Sequence, residues 1–265
     1  MNYVSGGLLG DLLNVLYVIK SQYIETGIKG NLYITNDPKF GGEKFNSILA
    51  KTYLDTYNLI TNQDYINQYK IYDNTINENT IINLSDWRQS RFLYIKNWID
   101  IFSIRYNLKN ISYPWIKWHK YNNKFQNKIL IHRGLNIRRH TNYFPWTSIL
   151  NTTINNNNNK YIFITCDKKE YDNFQFNDLV ELEVFDILED LYTAINSCLF
   201  FIGNQSMPLA FAVAIGKPCL AELCVTDYMH YTGIEKYNKN FFWIHSSESS
   251  IKGADKYITL PDNSK

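Results

Sequence analysis

A chain of 265 residues with 45% hydrophobic and 16% aromatic residues has the proportions of a folded globule, long enough for one large α/β domain or two small ones. Its net charge of +2 is too weak to argue for a nucleic-acid partner, though it excludes none. The four cysteines, Cys166, Cys198, Cys219 and Cys224, lie in apolar strand-like contexts without C-x-x-C spacing. They read as buried free thiols, which suits a reducing cytoplasm.

The N-terminal stretch MNYVSGGLLGDLLNVLYVIK has no basic leader and no small-residue cleavage site, and Asp11 interrupts its apolar run. No signal peptide is expected, and no apolar stretch is long enough for a membrane span. Residues 2–4 can form a short strand, followed by the glycine loop of Gly6, Gly7 and Gly10. A helix to about Thr26 then places Leu12, Val15, Leu16, Ile19 and Tyr23 on one face. A strand over 31–35, a helix over 43–57, and strands over 69–72 and 80–84 follow. Residues 87–106 read as one helix bearing Phe92, Trp98, Phe102 and Tyr106, and periodicity is lost over 107–126.

From Lys128 the alternation resumes: strand 129–132, helix 145–150, strand 161–165, helix 168–174, strand 180–184 and helix 187–196. The stretch SCLFFIGNQSMPLAFAVAIGKPCLAE, residues 197–222, then reads as a strand, a tight loop, a buried helix and a further strand. A last strand is expected over 241–244. Alternating strands and helices predict mostly parallel sheets. The expected fold class is therefore α/β, with two Rossmann-like domains, 1–127 and 128–265, facing a cleft where a ligand binds.

Three places can carry chemistry. In the first loop, Asp11 is either a helix cap, worth about 1 kcal/mol, or a general base taking a proton from an acceptor hydroxyl. In IHRGLNIRRH, residues 131–140, a strand delivers His132 and Arg133 to its end, and Arg138 and Arg139 follow in a loop. Guanidinium groups there can hold phosphate and stabilise charge growing on a leaving diphosphate. In the third, Asn204, Gln205 and Ser206 precede a helix and can supply donors to a phosphate. Glu222, one strand away, can accept from ribose hydroxyls. The plain alternatives are a solvated basic loop, a helix cap and an exposed strand end. No Asp-x-Asp, P-loop lysine, H-E-x-x-H or G-x-S-x-G motif is present, so charge on a leaving group would be met by arginine and helix dipole, not by a metal.

These segments together resemble the GT-B glycosyltransferases, most closely the heptosyltransferase-like (family 9) branch. SGGLLGDLLNVLYVI is similar to that branch's opening strand, glycine loop and Gly-Asp helix start, with Gly10 and Asp11 on the matching pair. ILIHRG resembles the strand that opens the second domain, and FIGNQSMPLAFAVAIGKPCLAE the donor-binding segment. The donor loop departs from the branch, with Asn204-Gln205-Ser206 where an acidic residue, Gly and Pro commonly precede a histidine. The resemblance implies a metal-independent transfer of a sugar from a nucleotide-diphosphate donor to an acceptor hydroxyl, with no cofactor beyond that co-substrate. It implies an acceptor domain first and a nucleotide-sugar domain second. Asp11 would be the base, Arg133 would meet the diphosphate, and Gly10, Arg138, Asn204, Gln205, Ser206 and Glu222 would serve the donor. Two other readings stay open. One is a non-catalytic nucleotide- or sugar-binding module. The other is a viral-type transferase acting on modified nucleic-acid bases, which predicts a basic groove of Lys117, Lys120, Lys124, Arg138 and Arg139.

Overall fold

The computed structural model describes all residues except 42–44, 46–47, 94, 110–112, 137–139, 155–160, 225–229, 246–247 and 259–265, and the side chains of 151–154. The chain separates into two compact units: Met1–Trp118 with Met229–Gly233, and His119–Tyr228 with Ile234–Lys265.

The first unit contains β1 (Asn2–Ser5), α1 (Leu9–Thr26), β2 (Gly30–Ile34), α2 (Leu49–Thr61), β3 (Ile66–Ile71), β4 (Ile81–Asn83) and α3 (Trp98–Arg105). Its strands form a parallel sheet in the order β3-β2-β1-β4. Helix α1 buries Leu12, Leu13, Val15, Leu16, Val18 and Ile19, more than a single stripe, because it is covered on several sides. Each such side chain contributes roughly 1.5–3 kcal/mol when fully buried. Gly27, at φ 70°, ends α1 in the left-handed conformation.

The second unit contains β5 (Ile129–His132), α4 (Trp146–Ile154), β6 (Tyr161–Thr165), α5 (Lys168–Asp172), β7 (Glu181–Val184), α6 (Leu188–Ser197), β8 (Phe200–Asn204), α7 (Met207–Ala214), β9 (Cys219–Glu222), β10 (Phe241–His245) and β11 (Glu248–Ser250). The sheet order is β11-β10-β9-β8-β5-β6-β7, parallel except for β11. Strands β5, β6, β8, β9 and β10 are buried along their whole length, as expected of parallel strands covered on both faces. One face packs Ile129, Ile131, Phe163, Phe200, Ile202 and Leu220 against Trp146 and Ile149. On α6 and α7, Tyr192 and Phe211 meet with ring centroids 4.5 Å apart. Gly203 permits a close approach in β8, since a Cβ there would lie 2.7 Å from the Phe201 ring and 3.1 Å from the His132 carbonyl oxygen. Gly203→Ala is expected to cost about 1–3 kcal/mol, read as a lower denaturant midpoint.

Most elements form where periodicity placed them, with differences that have local causes. The helix expected over 43–57 starts at Leu49; positions 43 and 44 lie outside the described residues. The single helix expected over 87–106 is broken. A 3-10 turn at Asp86–Gln89 is followed by turns, and only Trp98–Arg105 is α-helical. The break comes from capping: the Ser90 hydroxyl accepts from Phe92 N–H, and the Asn97 side chain accepts from Asp100 N–H at 3.0 Å to start α3. The aromatic residues still cluster, with Trp87 and Trp98 rings 4.7 Å apart and Phe102 beside both. Strand β11 had no sequence signal. Cys198, Cys219 and Cys224 are buried and free, whereas Cys166 is exposed, a correction to the reading that all four are buried.

Segment Met229–Gly233 returns to the first unit. There the His230 ring stacks on Trp98 at 4.1 Å, and its Nε2 donates to the Leu93 carbonyl at 2.5 Å. Among the described residues no helix is long and apolar enough to cross a membrane.

Candidate functional sites at two switch points

Both sheets reverse their winding direction once. In the first unit the reversal falls between β1 and β4, and in the second between β5 and β8. At such a point the connections leave on opposite faces, so the carboxyl ends of the two strands stand apart and offer a ligand crevice. The candidate residues gather at these two places.

In the first unit, the loop after β1 meets the loop after β4. Gly6 N–H donates to the Ser85 hydroxyl at 3.1 Å. Asp11 lies in the first turn of α1, where its carboxylate reaches back toward Leu8 N–H, so Leu8 and not Asp11 is the N-cap residue. Gly10 is part of the same turn. Arg88 donates Nη2 to Asp11 Oδ2 at 2.5 Å, and its guanidinium also lies over the Trp87 ring. Gly7, at φ 129°, leaves room for this pair: a Cβ there would sit 2.9 Å from Arg88 Nη2. Sequence reasoning missed Arg88. The available signal was its position just past β4, which mirrors the position of Asp11 past β1.

In the second unit, β5, β8 and β9 are adjacent, and His132 stands opposite Gly203, and Asn204 opposite Glu222. Their carboxyl ends thus bring together residues that sequence reasoning had placed in two separate segments. Arg133 donates Nε to Glu222 Oε2 at 2.9 Å and Nη2 to Oε1 at 2.7 Å, a two-pronged pair. Thr141 N–H adds a third donor to Glu222 at 2.8 Å. Glu222 is 0% exposed. It is therefore not the exposed strand end of the plain alternative, and both its oxygens are engaged by protein.

Asn204 and Gln205 are also buried. Asn204 Oδ1 accepts from Gly134 N–H at 3.2 Å, and Gln205 Oε1 accepts from Cys224 N–H at 2.8 Å. Each amide thus ties the β8–α7 turn to a neighbouring strand end, and the N–H partners settle which way the amides point. His140 Nε2 donates to Gly134 O at 2.7 Å. Burial, reinforced by Arg133, holds the His140 imidazole below its ordinary pKa. Arg138 and Arg139 themselves lie outside the described residues.

Ser206 is half-buried and caps α7 in position. Pro208 has no N–H, so Met207 and Leu209 are the first-turn donors of α7. The Ser206 hydroxyl lies 3.1 Å from His132 Nδ1 and 3.2 Å from the Asn204 carbonyl oxygen. The other ring nitrogen, His132 Nε2, lies 3.1 Å from Glu170 Oε2, which also accepts from the Thr165 hydroxyl. Burial pushes the Glu170 pKa up, but hydrogen bonding to His132, its charge and the Thr165 hydroxyl outweigh this and leave it below the ordinary value. Glu170 was not foreseen. Asp167-Lys-Lys-Glu170 looks like a capping box, and Asp167 does cap Lys169 N–H, but Glu170 turns toward His132.

The lysines of the expected basic groove are matched by carboxylates: Lys117 by Asp64 at 2.9 Å, Lys124 by Glu183 at 2.5 Å, and Lys120 by Glu189. The other two members of that groove, Arg138 and Arg139, lie outside the described residues.

No protein-family model matches the chain, and no curated protein matches it. Solved structures do. The glycosyl transferase of family 9 from Veillonella parvula is similar with a TM-score of 0.55 and 11% identity, over 97% of this chain and 89% of that one. The E. coli heptosyltransferase WaaC with ADP gives 0.52 at 12% identity, over 92% of both chains. The E. coli ADP-heptose LPS heptosyltransferase II gives 0.50 at 7% identity, over 92% and 89%. The chain thus has two Rossmann-like units with mostly parallel sheets, a fold similar to that of these GT-B structures. The likeness to the two heptosyltransferases and the family 9 enzyme is one of fold.

Proposed function

We propose that this protein is a glycosyltransferase that moves a sugar from a nucleotide-diphosphate donor to an acceptor hydroxyl, without a metal ion. The observation that carries the reading is the placement of chemistry-bearing residues at the switch point of each Rossmann-like unit in a GT-B fold. That one structural neighbour, WaaC, is described with ADP supports a nucleotide diphosphate as the donor's leaving portion.

In this reading the second unit holds the donor. The Ser206 hydroxyl and the first-turn N–H groups of α7 face the diphosphate, helped by the helix dipole. Asn204 and Gln205 hold that turn in place. Glu222 acts by fixing the Arg133 guanidinium, which offsets negative charge growing on the leaving diphosphate. Arg138 belongs to the same loop and is assigned to the donor with it. The first unit holds the acceptor. The acceptor oxygen bonds to the anomeric carbon and gives its proton to Asp11, while the bond from that carbon to the diphosphate breaks and its electron pair leaves on the diphosphate oxygen. Gly10 belongs to the helix turn that presents Asp11, and Arg88 orients the carboxylate.

Calorimetry with ADP, UDP and GDP, followed by transfer assays with the matching nucleotide sugars across a panel of sugar acceptors, tests the proposal. Binding with transfer is the expected result. Binding without transfer on any acceptor would instead make the chain a nucleotide-binding module, and salt-sensitive DNA binding would revive the nucleic-acid reading.

A further inference from the structure

The Arg88 side chain, which holds Asp11, is itself held by few contacts. Its Nη2 donates to Asp11, its Nη1 is buried with no hydrogen-bond partner among the described residues, and its guanidinium carbon lies 4.3 Å from the centre of the Trp87 ring. The posture of Arg88 therefore follows that of Trp87. A buried indole usually finds an acceptor for its N–H, but those of Trp87 and Trp98 are both buried without one. Packing against other rings is what fixes these two side chains. Trp87 meets Trp98 edge-on at 4.7 Å and Phe102 at 6.1 Å. Around Trp98 stand Phe102 at 6.1 Å, Tyr231 at 6.5 Å and His230, stacked at 4.1 Å and the nearest of them. His230 is anchored in turn by its Nε2, which donates to the Leu93 carbonyl.

We propose that His230 is a positioning residue for the acceptor site, acting on Asp11 through Trp98, Trp87 and Arg88. The inference rests on Asp11 as the base proposed above. His230 lies in the chain between β9 and β10 of the second unit, yet it packs as part of the first. A segment inserted between two strands of one unit thus completes the support of the other unit's carboxylate. Removing the imidazole leaves Trp98 without the nearest of its ring neighbours. Trp98 and then Trp87 gain freedom to rotate, the guanidinium follows the Trp87 ring, and the Asp11 carboxylate loses the cation that aims it. A displacement of about 1 Å at a reacting group is enough to cost about 10²-fold in rate.

The test is a double-mutant cycle on sugar transfer, with His230→Leu and Arg88→Met made separately and together. His230→Leu is expected to lower kcat by about 10²-fold with the dissociation constant for nucleotide diphosphate unchanged. His230→Phe, which keeps a ring on Trp98, is expected to restore most of the rate. Arg88→Met should lower kcat to a similar extent, and adding His230→Leu to it should cost nothing further, because the path from His230 to Asp11 is already cut. Losses that multiply in the double variant would overturn the proposal, as would an unchanged kcat in His230→Leu. A fall in kcat matched by an equal fall in the folded fraction would also overturn it, by reducing His230 to packing. Hydrogen exchange supplies a readout that needs no turnover. Leu8 N–H reaches Asp11 Oδ2 at 3.4 Å, and its exchange is expected to quicken in His230→Leu and in Arg88→Met but not in His230→Phe. If the wild type transferred none of the sugars offered, the role of Asp11 as base would fall. Quickened exchange at Leu8 would then leave the link from His230 to Asp11 standing, and unchanged exchange would overturn it as well.

Discussion

Asp11→Asn is expected to lower sugar transfer by about 10²–10⁴-fold, the range for loss of a general base, while the dissociation constant for the nucleotide diphosphate stays unchanged. The substitution is nearly isosteric. The amide oxygen can still accept from Arg88 Nη2, which Asp11 Oδ2 now does at 2.5 Å, so the helix start should survive. The cost of weakening this partly exposed ion pair is no more than about 1 kcal/mol. Nucleotide affinity is the discriminating measurement, because the donor is assigned to the other unit. Unchanged turnover in the variant would take Asp11 out of the mechanism, and a loss of nucleotide affinity would move it to the donor site.

Glu222→Ala is expected to destabilise the second unit by about 3–5 kcal/mol, the penalty for leaving a buried charge without its partner. Arg133 would lose both hydrogen bonds to that carboxylate, and Thr141 N–H would lose its acceptor. The double variant Arg133→Met with Glu222→Leu should recover much of the stability, since two apolar side chains remove the stranded charge. It should still fail to bind nucleotide diphosphate, because the guanidinium is gone. Urea denaturation followed through the second unit's transition reads the first effect, and calorimetry the second. A cost for Glu222→Ala within about 0.5 kcal/mol would be that of a surface substitution and would contradict the buried pair.

The strands were legible because parallel strands covered on both faces are continuous apolar runs. ILIH and YIFIT formed within the bounds that their composition implied. The helix over residues 87–106 was misread because aromatic spacing alone cannot distinguish a helix from a knot of rings. Trp87, Trp98 and Phe102 do pack together, but capping by Ser90 and Asn97 decides where helix is allowed. The return of Met229–Gly233 to the first unit left no mark in composition, since it rests on contacts with residues far away in the chain, among them His230 with Trp98 and the Leu93 carbonyl and Tyr231 with Trp98.

The stretch 197–222 was recognisable as strand, turn, buried helix and strand from residue types alone. The apolar runs, Gly203, Pro208 and Gly216 act through local backbone geometry, which needs no distant partner. The jobs of Asn204, Gln205 and Glu222 were beyond such reasoning. Each is set by what a neighbouring strand end presents: Gly134 N–H, Cys224 N–H and the Arg133 guanidinium. The pairing of Asp11 with Arg88, 77 residues away, and the chain from Ser206 through His132 to Glu170 are likewise products of sheet order. Local sequence dictates where strands end and helices begin. Which charged groups then meet depends on which strands lie side by side, and that is a property of the folded sheet.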